Sequence, residues 1–120
     1  MNIRILIVEN ESIISEDLRL RLEGAGYVVS DVASSAEEAI QKIQVAWPDV
    51  VVWDPTFKNE VNALDLARRI SCDFQIPMIY VSGYEVPRGL QNFGRVAKPI
   101  EDEELLEVLG KLIGGKLSPA

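Results

Sequence analysis

The chain contains no histidine, one cysteine (Cys72) and only 7% aromatic residues among its 120 positions. Without histidine, every Ser-His, Cys-His and imidazole-based acid–base scheme is excluded. A single thiol cannot form an internal disulfide, and zinc sites of the usual Cys/His type lose their ligands. Basic residues are scarce: 12 Lys plus Arg face 19 Asp plus Glu, a formal charge of −7. A nucleic-acid-binding domain needs a basic face to meet phosphates, so that class is disfavoured. Long apolar runs are also missing. Ile3–Val8 is too short for a signal sequence and far too short to cross a bilayer, so a cytoplasmic setting without membrane contact is the default expectation.

What remains is an ordinary globular composition, 48% hydrophobic and 26% charged, sized for one domain. Short apolar runs alternate with amphipathic stretches. Ile3–Val8, Tyr27–Val32, Val50–Trp53, Ile76–Val81 and Arg95–Ala97 read as strands. Between the first two, Ile14, Leu18, Leu22 and Ala25 recur at helical spacing from Glu11 to Gly24, with Asp17 and Arg21 paired on the other face. Ser35 and Glu38 have capping-box spacing, and Ala36, Ala39, Ile40, Ile43 and Trp47 then share a face. Ala63, Leu66, Ala67 and Ile70 suggest a third helix, and an acidic start at Glu101–Glu104 opens a last one that Gly114 and Gly115 close. Pro87, Gly89 and Gly94 punctuate the segment after Ser82 too often for a regular helix, so a loop is expected there. Strands alternating with helices imply βαβ units and a parallel α/β sheet covered on both faces. The expected organisation is a domain over residues 1–114 with a flexible tail at 115–120.

In such a sheet, ligands bind beyond the carboxyl ends of the strands. Those ends carry Glu9, Asn10 and Glu11 after the first strand, Asp54 after the third, Ser82 at the fourth and Lys98-Pro99 after the fifth. Carboxylates, waters and a backbone carbonyl suit Mg²⁺. An ionised Asp54 is a competent nucleophile toward phosphorus, and lysine and hydroxyl groups can stabilise the transferred oxygens. Each residue also has a plain structural reading. Asp54 can cap a loop, Asn10 can cap the first helix, and Trp47 and Trp53 can simply fill the core.

The motifs ILIVENE (5–11), PDVVVWD (48–54), PMIYVSGY (77–84) and VAKPI (96–100), in this order and each at a strand end, resemble the receiver domains of two-component response regulators. The resemblance implies a flavodoxin-like, doubly wound sheet of five parallel strands in the order 2-1-3-4-5. It implies that Asp54 accepts a phosphoryl group from a sensor histidine kinase or phosphotransfer protein. Mg²⁺ would sit at Glu9, Asn10, Asp54 and the carbonyl of Thr56. Ser82 becomes the switch hydroxyl and Lys98 the ion-pair partner of the phosphoryl group, with a cis Lys98–Pro99 peptide. The activity implied is catalysis of the domain's own phosphorylation and dephosphorylation, with no metabolic reaction, and with a downstream effector protein as output partner. A homodimer is left open.

Three departures from that pattern stand out. Asn10 replaces the second acid, which should weaken Mg²⁺ binding. Arg95 occupies the position three before the lysine where an aromatic usually sits. The stretch from Ser82 to Lys98 is short, resembling receivers whose fourth helix is absent or degenerate, and makes Tyr84 a candidate switch residue. The alternative is a pseudo-receiver, the same fold serving as a phosphorylation-independent docking module. Asn10 and Arg95 favour it; Asp54, Ser82 and Lys98 oppose it. A dinucleotide-binding enzyme would need a glycine fingerprint after Val8, where Glu-Asn-Glu stands instead. A flavodoxin-type carrier would need a phosphate-cradling loop there. A Toprim-type enzyme would need an acid where Thr56 stands and would leave Lys98 unexplained.

Overall fold

Four consecutive buried residues, Ile5 to Val8, make the first strand apolar on both faces, the signature of a strand covered on both sides. The computed structural model describes residues 3–53, 68–82 and 93–116. Over these it contains β1 (Arg4–Val8), α1 (Ser12–Gly24), β2 (Val28–Ala33), α2 (Ala36–Val45), β3 (Val50–Trp53), a π-helical turn (Arg69–Asp73), β4 (Met78–Ser82), β5 (Phe93–Ala97) and α3 (Asp102–Lys116). The strands form one sheet in the order β2-β1-β3-β4-β5, and every neighbouring pair is parallel. The α/β class and the order implied by the family resemblance are therefore observed. The segments expected to hold a helix through Ala63–Ala67 and a loop in place of the fourth helix lie largely outside the described residues.

Strand alternation sorts the core into two layers. Leu6, Val8, Val51, Trp53, Met78 and Tyr80 face α2, where Ala39, Ile40 and Ile43 meet them. Ile5, Ile7, Val50, Val52, Ile79, Val81 and Val96 face the opposite way, toward Leu18 and Leu22 of α1 and Leu105 and Leu109 of α3. Each such side chain contributes about 1.5–3 kcal/mol by leaving water. Arg21 ties the outer ends of this second layer together, bonding Asp17 at 2.9 Å within α1 and Asp102 at 2.6 Å at the start of α3.

Several local expectations shift. Ala25 lies past the end of α1 and is exposed, because Tyr27 N–H already returns to Leu22 O and the helix is over. Trp47 does not pack in the core: it is 52% exposed and stands edge-on to Phe74, with ring centroids 5.4 Å apart. The reason is that α2 ends at Val45, two residues earlier, as Pro48 forces extended backbone before it. α3 runs through Gly114 and Gly115 to Lys116; a glycine inside a helix costs only about 1 kcal/mol, which packing of the preceding turns offsets. Gly94 of β5 lies so close to α3 that a Cβ there would overlap Val108 Cγ1. Along β2 the register slips by one residue, so that Ile5 pairs with Val29 but Leu6 with Asp31.

Candidate functional site

The chain leaves β1 toward β2 on one side and returns to β3 on the other. The strand order thus reverses between β1 and β3, the place where sheets of this kind receive ligands beyond the carboxyl ends of their strands. Val8 and Trp53 are registered partners at those ends, and Glu9 and Asp54 are the next residues in the chain. On the far side, Ser82 of β4 pairs with Ala97 of β5, and Lys98 follows Ala97. Four of the strand ends singled out by sequence therefore share one edge of the sheet.

Glu9 is held firmly. Its N–H donates to Ala33 O at 2.9 Å, extending the β1–β2 ladder by one bond. Its Oε1 accepts the Glu11 N–H at 3.0 Å, and the residue is only 2% exposed. Burying a carboxylate is costly unless its oxygens are engaged, so a buried glutamate at the point where the strand order reverses is a placed group. The helix cap is Glu11, not Asn10. Asn10 is exposed and is not spent on capping the helix.

Lys98 is half-buried and follows directly on β5. The end of that strand is fixed by Glu104 of α3, whose Oε1 accepts the Ala97 N–H at 2.8 Å. The Lys98–Pro99 peptide is cis. Lys98, Pro99 and Ile100 line one wall of an open groove of ≈ 440 Å³, with Ile13 and Ile14 of α1 opposite. Ser82 is described at the backbone. Asp54, Thr56 and Tyr84 lie outside the described residues.

Among the described residues, no three acidic, histidine or cysteine side chains gather as a metal site. The donors they do offer, the Glu9 carboxylate and the Asn10 amide oxygen, are hard oxygen ligands of the kind Mg²⁺ takes. Arg95 is exposed, as a residue on the last-numbered edge strand can be. Two contributors escaped the sequence reading. Glu104 was seen only as part of an acidic helix start. Tyr80 was seen only as a strand residue, although its place two before Ser82 could have marked it.

The sequence pattern described as the response regulator receiver domain matches residues 5–110. An uncharacterized response regulatory protein of Yersinia pestis is 32% identical over 115 residues, covering 92% of this chain and 48% of that protein. The chemotaxis protein CheY of Thermotoga maritima is 26% identical over 120 residues, covering 93% of this chain and 98% of its own. Among solved structures, PhyR of Bartonella quintana, described as an anti-anti-sigma factor, superposes with a TM-score of 0.84 at 20% identity, over 98% of this chain and 49% of that one. At that identity the likeness concerns the fold alone. The chain spans 48% and 32% of the length of two of the curated relatives it matches.

Proposed function

This chain belongs to the response regulator receiver domain family, and we propose that within it Asp54 accepts a phosphoryl group from a sensor histidine kinase or phosphotransfer protein. A carboxylate oxygen of Asp54 attacks the phosphorus of the donor phosphohistidine. The new O–P bond forms as the N–P bond breaks, and the departing imidazole nitrogen takes up a proton. Mg²⁺, when bound, offsets the negative charge that the carboxylates and phosphoryl oxygens bring together. Glu9, Asn10, Asp54 and the Thr56 carbonyl would hold it. Lys98 pairs with the phosphoryl oxygens, and the Ser82 hydroxyl donates to one of them. Tyr84, two residues past Ser82, is the candidate switch aromatic. The phosphorylated domain then changes its affinity for an effector protein, in a cytoplasmic setting.

The observation that carries this reading is the buried Glu9 carboxylate at the β1–β3 switch point, one residue past the Val8–Trp53 pair that leads into Asp54. A second reading, a docking module that is never phosphorylated, draws on Asn10 in place of an acid. The test is incubation with acetyl phosphate and Mg²⁺, followed by intact mass. Wild-type chain should gain one phosphoryl group, and Asp54→Asn should gain none while keeping its far-UV spectrum. An unchanged wild-type mass counts against the acceptor reading and for the docking one; a labelled Asp54→Asn chain shows that the acceptor is another residue.

A further inference from the structure

Two buried rings lie directly below the candidate site. Trp53 closes β3 and Tyr80 stands two residues before the end of β4; they are 3% and 5% exposed. They are registered partners, and theirs is the last pair in the β3–β4 register. The rings meet edge to face, with centroids 5.3 Å apart and planes at 81°. That geometry matches the positive rim of one ring to the negative face of the other, and each ring has few rotamers to lose. The same cross-strand row includes Val8 of β1 and Arg95 of β5, so it lies one residue below Glu9 and reaches the exposed edge of the sheet. Beyond this row the chain continues from β3 into Asp54 and along β4 to Ser82.

We propose that Tyr80 is a positioning residue for phosphoryl transfer, its ring braced on Trp53 to fix the spacing between the β3 end that leads into Asp54 and the β4 end that carries Ser82. The inference rests on the phosphoryl-acceptor reading above and adds to it the part that sets the geometry. The ring carries the contact with Trp53, so removing the aromatic face should do more harm than removing the phenol oxygen alone. Misplacing a reacting group by a fraction of an ångström lowers the rate steeply, because the attacking and leaving atoms must stay in line. Trp53 is next in sequence to the acceptor, so its emission should also respond when the acceptor is occupied.

The test compares the full chain with Tyr80→Leu, Tyr80→Phe and Trp47→Phe, the last leaving Trp53 as the single tryptophan. Acetyl phosphate with Mg²⁺ is the donor, intact mass gives the rate, and beryllofluoride with Mg²⁺ serves as the phosphoryl mimic for fluorescence. Tyr80→Leu should be phosphorylated about tenfold or more slowly, while Tyr80→Phe, which keeps the ring, should lose less of the rate. In Trp47→Phe, the mimic should shift or quench the emission. Should Tyr80→Leu fail to fold, Tyr80→Met takes its place, with the same slowing expected and a wild-type rate overturning the inference. A folded Tyr80→Leu that reacts at the wild-type rate overturns the inference, as does an unchanged emission in Trp47→Phe that mass shows to accept phosphoryl. In either case the wild-type chain still gains mass and the acceptor reading stands. A wild-type chain that gains none removes both.

Discussion

Placing a methyl group at Gly94 tests how tightly β5 is pressed against α3. A Cβ at that position would overlap Val108 Cγ1 and touch Leu112 Cδ1 at 3.4 Å. Both neighbours sit on α3, one turn apart, so neither can withdraw without moving the helix or leaving its rotamer. Forcing an extra carbon into such a site costs about 1–3 kcal/mol. Against this, alanine restricts the unfolded chain and returns about 0.4–1 kcal/mol. The net expectation for Gly94→Ala is a loss of about 1–2 kcal/mol. In a chain of this size that lowers Tm by roughly 4–8 °C. The assay is thermal and urea unfolding of four proteins: wild type, Gly94→Ala, Val108→Ala and the double variant. Since Val108 is the obstacle, trimming it should relieve the strain, and the double variant should be more stable than the sum of the two losses by about 1 kcal/mol. A Gly94→Ala chain as stable as wild type, or a cycle that is additive within about 0.5 kcal/mol, would refute the argument.

Three further outcomes follow from contacts described above or close to them. Ser35 Oγ accepts the Glu38 N–H at 3.1 Å, so Ser35→Ala should cost about 1 kcal/mol in urea unfolding, and an unchanged midpoint would contradict the cap. The Asp31 carboxyl is held below its ordinary range by its hydrogen bond to Lys42, and that of Glu38 by bonds to Ser34 and then Lys42. Folded-state pKa values below the unfolded ones mean stability that is present above about pH 4 and drains away as the pH falls through the depressed values. Lys42→Met should therefore flatten the acid limb of the stability–pH curve; both partners are largely solvated, so the effect is small, and parallel curves would exclude it. Asn10→Asp restores a carboxylate beside Glu9 and should tighten Mg²⁺ binding about tenfold in a magnesium titration. Equal affinity would show that position 10 does not face the ion.

The central strands were the most legible part of the fold. Ile5–Val8 and Val50–Trp53 are buried on both faces, and an unbroken apolar run can mean little else between two helices. The edge strand β2 mixes Ser30 and Asp31 with valines, so its limits moved by one residue. Trp47 was misplaced because helical spacing was carried past Pro48's influence on the backbone before it. The π-helical turn and the left-handed Gln75, at φ 55°, left no trace, since no glycine marks them. At the site, the residue types at strand ends were readable, and so was the edge they share. The Glu9–Glu11 bond, the Glu104 brace and the Trp53–Tyr80 pair were not, because each joins positions whose meeting depends on helix and strand packing in three dimensions.

The slip in register along β2 also bears on self-association. An edge strand with free backbone groups invites another chain to add itself to the sheet. Here the strand bends at Ser30, whose hydroxyl bonds back to Ile5 O at 3.3 Å. Glu9 N–H takes the inward carbonyl of Ala33, and the carbonyl of the preceding residue, Val32, receives Lys42 Nζ at 2.8 Å. An incoming strand would find that acceptor occupied, a kink in its path and the charge of Asp31 beside it. On this flank the sheet carries its own protection against fibrous growth, and one lysine supplies much of it.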